Sequence, residues 1–320
     1  MKRLTALLAA CLMAAGILSG CAQKASAKTA ETSSAAQTTA AQATPEATEA
    51  APVSLTVFAA ASMTETLTEI AGMYKEAAPN VTLTFNFDSS GTLKTQIQEG
   101  ADCDIFISAA QKQMNQLDIS ADSSVNTEGL DFVLAGSRTN LLENKVVLVV
   151  PEGNPAGITS FDDIAADKVS MIALGNSDVP VGQYSQEILT NMGIWDAIQS
   201  KVTFGSNVKE VTSAVSEAAV DCGIVYATDA YSAGLTVAAE APADMLKTPV
   251  TYPAAVLNTS SNPEAAQAFL DYLKTDDAKA VFEKVGFLMS LCPVKRRIYS
   301  SVLNSRILAT TLSPLIGSII

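Results

Sequence analysis

The sequence predicts an α/β protein long enough for two lobes, and three observations predict it. Extended apolar runs alternate with helix-patterned segments along most of the chain, the order that places parallel sheets beneath covering helices. Apolar residues make up 48% of the 320 and charged residues 17%, which suits a well-cored globular protein. Several apolar runs end in small or hydroxyl residues where a helix pattern begins, as at Leu55-Thr56-Val57-Phe58-Ala59-Ala60-Ala61-Ser62. Such junctions carry free backbone N–H groups and the positive end of a helix dipole, so each is a potential anion-binding element.

The elements follow in order. Lys2 and Arg3 precede an apolar stretch over residues 4–18, and Leu18-Ser19-Gly20-Cys21 follows. A basic start, a short apolar core and small residues predict a secretory signal peptide over 1–20, too short for a membrane span. Leu-Ser-Gly-Cys is similar to the lipobox of bacterial lipoproteins, and that similarity implies a lipid on Cys21, which would anchor the chain to a membrane without crossing it. Residues 21–53, nearly all Ala, Thr, Ser, Gln, Glu and Pro, offer little apolar surface to offset ordering entropy and read as a disordered tether. Strands are expected at 54–59, 81–87, 104–108, 145–150, 169–174, 201–204, 222–226 and 250–257. Helices are expected at 63–77, 92–99, 183–192, 208–219, 263–273 and 276–285. No internal repeat is evident. Ligands of open parallel sheets sit beyond the carboxyl ends of the strands, where these junctions fall.

Four junctions could converge on one small anion. Ser62-Met63-Thr64-Glu65 matches a capping box. Ser89-Ser90-Gly91-Thr92 supplies two hydroxyls and a glycine that lets backbone approach closely. Val179-Pro180-Val181-Gly182 reads as a turn into a helix near Gln183, and Asn207-Val208-Lys209-Glu210 as another cap. Tyr226 closes Gly223-Ile224-Val225-Tyr226; its phenol is either a core aromatic's polar tip or a donor to an oxyanion. Asp88 and Asp178 read as capping or turn residues, and a carboxylate turned inward would oppose a dianion.

Charge and absences narrow the classes. The formal net charge is −13, and loss of Lys2 and Arg3 with a signal would make it −15. That balance argues against nucleic acid and polyanionic partners, and leaves an anion ligand only to a site built from local dipoles. With no histidine, the chain carries no Ser-His-Asp triad, His-ligated zinc or His base. Cys103, Cys222 and Cys292 are widely spaced with no Cys-x-x-Cys pair, so no disulfide framework or metal site is expected; Cys103 and Cys222 read as buried small hydrophobes.

Phe58-Ala59-Ala60-Ala61-Ser62, Ser89-Ser90-Gly91-Thr92-Leu93, Asp104-Ile105-Phe106-Ile107-Ser108-Ala109, Val179-Pro180-Val181-Gly182-Gln183-Tyr184 and Gly223-Ile224-Val225-Tyr226 together resemble the molybdate-binding proteins of ABC transporters, in order and spacing, from about Ser54 to Phe287. The resemblance implies a two-lobed type II periplasmic-binding-protein fold with crossing hinge strands, lobe 1 at 54–147 plus 238–287 and lobe 2 at 148–237. It implies a molybdate or tungstate oxyanion held by Ser62 and Ser90 through hydroxyl and backbone N–H, Val181 and Val208 through backbone N–H, and Tyr226 through its hydroxyl. It further implies no cofactor, no catalysis, a monomer outside the cytoplasm, and an ABC permease as partner. Residues 288–320 depart from it as a basic, apolar tail, for which a disordered extension, an interfacial segment and a shifted or fused reading frame all stay open. Three other readings are a receptor for sulfate or thiosulfate, a ferric-iron receptor, disfavoured by the lack of histidine, and an enzyme with Ser62 as nucleophile, for which no neighbouring base is evident.

Overall fold

A computed structural model describes residues 51–290. The signal peptide, Cys21, the tether up to residue 50, Cys292 and the tail beyond residue 290 lie outside the described residues. Among the described residues no helix is long and apolar enough to cross a membrane.

Strand β1 (Val53–Ala60) runs through a short 3-10 turn into α1 (Thr64–Ala77), β2 (Val81–Asp88) into α2 (Ser90–Gln98), and β3 (Ile105–Ile107) into the short α3 (Gln111–Asn115). After a long loop, β4 (Thr139–Asn144) is followed at once by β5 (Val146–Val150). Then come β6 (Ile172–Gly175), α4 (Pro180–Asn191), α5 (Trp195–Ile198), β7 (Val202–Gly205), α6 (Val208–Ser216), β8 (Cys222–Tyr226), α7 (Ala227–Ser232) and β9 (Thr236–Glu240). The described residues end with β10 (Val250–Val256), α8 (Pro263–Tyr272), α9 (Asp276–Lys284) and β11 (Leu288–Met289).

These strands form two sheets, one ordered β11-β4-β10-β3-β1-β2 and the other β7-β6-β8-β5-β9. Parallel pairing links β1 with β2 and β3 in the first, and β6 with β7 and β8 in the second. The sheets are mixed rather than purely parallel: β10 and β4 run antiparallel to their neighbours, as do β5 and β9. The cause is the crossing of the chain, because β4 and β5 are nearly continuous through Lys145 yet pair in different sheets, and β9 and β10 reverse that passage. The sheet changes therefore fall at Lys145 and between Glu240 and Val250, whereas the expected lobe limits at 147/148 and 237/238 fall inside β5 and β9. The strand expected at 145–150 forms as β5 and pairs along its length in the second sheet.

Burial explains why the strong elements form. All five residues of β5, Val-Val-Leu-Val-Val, are buried, each contributing about 1.5–3 kcal/mol of transfer free energy. Helix α1 buries Thr66, Leu67, Ile70 and Tyr74, one helical stripe, and Tyr74 packs edge-on against Phe269 of α8 with ring centroids 5.0 Å apart. Cys103 and Cys222 are buried and free, as expected, and burial pushes both thiols up to about 12.

Candidate functional site

The carboxyl ends of six strands face one cleft. Ala60 ends β1 with Ala61 and Ser62 beyond it, Asp88 ends β2 with Ser89 and Ser90 beyond it, and Ala109 follows β3; from the second sheet come Val179 and Pro180 beyond β6, Val208 beyond β7, and Tyr226 at the end of β8. The free cavity between them is small, about 10 Å³. Four of the five ligand candidates read from the sequence, Ser62, Ser90, Val208 and Tyr226, thus line one cleft. Val181 is fully buried next to the lining residue Pro180 and is not itself part of the lining.

The caps decide which backbone donors remain. Ser89 is the N-cap of α2, its Oγ accepting from the Thr92 N–H at 3.1 Å, while the Gly91 N–H donates to the Asp178 carbonyl at 3.0 Å. That leaves Ser90, at the first position, unclaimed by either. In α6 the Asn207 Oδ1 accepts from the N–H groups of Lys209 and Glu210, and again the first residue, Val208, is passed over. Helix α4 starts at Pro180, three residues before the expected start near Gln183, because a proline loses nothing at the first helical position. Val181 therefore sits in the first turn, where N–H groups have no partner within the helix.

The capping box expected at Ser62 is not formed. Ser62 lies inside the 3-10 turn and makes no cap bond; its Oγ is 2.9 Å from the Tyr252 hydroxyl on β10. Glu65, expected to reach back, pairs instead with Lys209 of α6 at 2.8 Å. Both partners come from far along the chain, so local pattern carried no trace of them. Ser90 Oγ accepts from the Ala109 N–H at 2.9 Å, and among the described residues its own proton has no acceptor. The Tyr226 hydroxyl lies 3.4 Å from the Ala109 carbonyl. Burial, reinforced by the nearby phenols of Tyr252 and Tyr184, holds Tyr226 well above the usual tyrosine range, so it stays a protonated donor.

Two carboxylates lie close by. Asp88 lines the cleft, but its Oδ1 accepts from the Ser89 N–H at 2.7 Å and faces Asn207 Nδ2 at 3.5 Å. Asp178 is exposed and contributes its backbone carbonyl rather than its side chain. Asp229, in the turn of helix after Tyr226, went unnoticed in the sequence: it is fully buried, among the described residues neither oxygen has a well-aligned hydrogen-bond donor, and Lys209 Nζ stands 3.4 Å away. Burial pushes its carboxyl up to about 7, against the opposing pull of that ammonium. Among the described residues no cluster of His, Cys, Asp and Glu could hold a metal ion.

Two mixed α/β layers joined by crossing strands, with helix starts from both facing one cleft, define a two-lobed type II periplasmic-binding-protein fold. The chain belongs to the bacterial extracellular solute-binding protein family, whose pattern it matches over residues 55–288. It is 37% identical to the molybdate-binding protein of Haemophilus influenzae over 243 residues, spanning 74% of this chain and 91% of that one. It is 35% identical to the molybdate-binding protein of Escherichia coli over 239 residues, with 73% and 88% covered. The solved periplasmic molybdate-binding protein of Azotobacter vinelandii shares the fold with a TM-score of 0.64 at 24% identity, over 74% of this chain and all of that one.

Proposed function

We propose that this protein binds molybdate and tungstate outside the cytoplasm and delivers them to an ABC transporter permease. The observation that carries the reading is the convergence of uncharged residues from both sheets, Ser62, Ser90, Val208 and Tyr226, on one cleft, with Val181 in the first turn of α4 beside it; their hydroxyl and N–H groups are the donors of this reading. Its relatives in two bacteria are molybdate-binding proteins, which supports the same ligand here. The two sheets act as lobes, and a ligand bonded to both stabilises the shut form that the permease reads. The protein acts as a monomer and performs no chemistry on its cargo.

A site that offers only donors, from both sheets, favours large tetrahedral dianions. Sulfate is smaller and does not reach every donor at once, and hydrogen phosphate brings a proton that needs an acceptor. In a thermal-shift panel, molybdate and tungstate are expected to raise the melting temperature alike, sulfate far less and phosphate hardly at all. A ligand at a thousand times its Kd adds about 4 kcal/mol of stability, well within the reach of the method. A sulfate shift equal to that of molybdate would sink the assignment.

We further propose that Cys21 carries a lipid that anchors the mature chain to the membrane through the tether. Cys21→Ala is expected to move the protein from the membrane fraction to the soluble one while molybdate affinity stays unchanged. Membrane retention of that variant would refute the anchor.

A further inference from the structure

Ser62 has one proton to offer, and nothing local to it decides where that proton points. The decision lies on two strands far along the chain. Asn144, the last residue of β4, is buried, and its Oδ1 accepts from the Lys145 N–H at 2.8 Å. A backbone N–H only donates, so the amide orientation is fixed and Nδ2 faces the other way. That nitrogen donates to Thr228 Oγ1 at 2.9 Å and to the Tyr252 hydroxyl at 3.2 Å. Tyr252 is fully buried in β10 and packs edge-on against Phe287, ring centroids 5.2 Å apart. Its oxygen receives the amide proton, which favours the arrangement in which its own proton goes to Ser62 Oγ, 2.9 Å away. Burial, with the Asp229 charge adding to it, holds this phenol well above the usual tyrosine range, and the proton stays on.

We propose that Asn144 and Tyr252 are positioning residues that set the polarity of the Ser62 hydroxyl, making it a donor into the cleft and selecting for oxyanions that carry no proton. Ser62 Oγ accepts from Tyr252 through one of its lone pairs, so its own proton is not spent on Tyr252 and is free for the cleft that Ser62 lines. Ser90 meets the same condition by a different route, its Oγ being occupied by the Ala109 N–H. A backbone donor cannot be turned around, whereas a hydroxyl can, and Ser62 therefore needs the amide behind the phenol. The inference rests on the reading of the cleft as an oxyanion site.

The test is a double-mutant cycle of Ser62→Ala with Tyr252→Phe, reading molybdate and phosphate affinity by calorimetry at neutral pH, with melting temperatures of the unliganded variants as a check on folding. Tyr252→Phe keeps the ring and is expected to weaken molybdate binding about five- to twentyfold, from loss of one oriented hydrogen bond. Phosphate binding should hold or improve, because the freed Ser62 oxygen can now accept from a protonated oxyanion, so the preference for molybdate narrows. In the Ser62→Ala background the same substitution should change molybdate affinity by less than about twofold, since coupled residues are not additive. Asn144→Leu leaves both hydroxyls in place and frees the phenol to turn; it is expected to narrow the preference in the same direction, which keeps the idea testable if Tyr252→Phe folds poorly. Tight binding by the unaltered protein with additive losses in the cycle, or with an unchanged molybdate-to-phosphate ratio in both variants, overturns the relay alone. No molybdate binding by the unaltered protein overturns the oxyanion site and the relay with it.

Discussion

Gly91→Ala is expected to weaken molybdate binding roughly five- to 150-fold, the affinity equivalent of about 1–3 kcal/mol of overpacking. Gly91 is the second residue of α2, on the side of the first sheet, and its N–H donates to the carbonyl of Asp178, which precedes α4 on the side of the second. A Cβ added there would stand 2.3 Å from the Asp178 oxygen and 2.8 Å from its Cα, distances at which backbone has to move. The clash exists only where the two sides meet. With the lobes apart, alanine in a helix turn is favoured over glycine by about 1 kcal/mol, so the unliganded variant should melt no lower than the unaltered protein. Gly182→Ala is the contrast, because its added Cβ meets Gly175 and Asn176 carbonyls at 2.2 and 2.5 Å within one lobe. That variant should lose melting temperature outright. Calorimetry of Gly91→Ala, with small-angle scattering to see whether molybdate still compacts it, decides the matter. Full affinity with normal compaction would mean that α2 and Asp178 do not meet when the ligand is held.

Other contacts between the two sides are weaker brakes on closure. Lys209 bridges Glu65 at 2.8 Å, but both side chains keep substantial contact with water, and an exposed ion pair contributes about 0–1 kcal/mol. The Asn207 to Asp88 contact is 3.5 Å long. Backbone overlap at residue 91 outweighs either, which is why a single methyl group there is the sharper probe.

The sequence made the parallel half of each sheet legible. Strands β1, β2, β3, β6, β7 and β8 are apolar runs followed by polar or small residues, and the turn chemistry of Asn207 is local, so its cap formed as read, while Ser89, read only as a hydroxyl near a helix, proves to be a cap as well. The elements that escaped are those whose stability is tertiary. Strand β4 carries Thr-Asn-Leu-Leu-Glu-Asn and β9 Thr-Val-Ala-Ala-Glu, neither with a clean alternation, and both are held by pairing with strands at the crossings. Helices α3, α5 and α7 are four to six residues long, too short for a periodic signal. The same divide runs through the site. Residues that present a helix start were visible, while Tyr252, Asn144 and Asp229 reach the cleft region from strands and a helix whose sequence holds no motif. Glu65 shows the opposite error: a capping-box spacing was present, and a cation from another element won the carboxylate.

Removing any one of the three hydroxyls is expected to cost about 1.5–3 kcal/mol of molybdate affinity, roughly ten- to a hundredfold. Ser62→Ala, Ser90→Ala and Tyr226→Phe each delete a donor whose proton the protein leaves available or binds only loosely: Ser62 and Ser90 can each use one lone pair to accept from within the protein, and the Tyr226 bond to Ala109 is long. A dianion held by neutral donors in a narrow cleft feels each loss in full, because no side-chain cation is part of the site to compensate. Lys209, the nearest lysine in sequence to Val208, is committed to Glu65 and Asp229. Val181→Ala and Val208→Ala should cost far less affinity, since their N–H groups survive the substitution, although both side chains are buried and the variants should melt lower. Salt separates this arrangement from one built on charge. Raising the concentration of a non-binding electrolyte should weaken molybdate binding only modestly, as a closed and desolvated site is poorly screened, even though the protein as a whole carries a large negative charge. Titrations of all five variants at low and high salt test this. Near-normal affinity in the three hydroxyl variants, or a steep salt dependence that disappears in Lys209→Met, would place the anion elsewhere on the molecule.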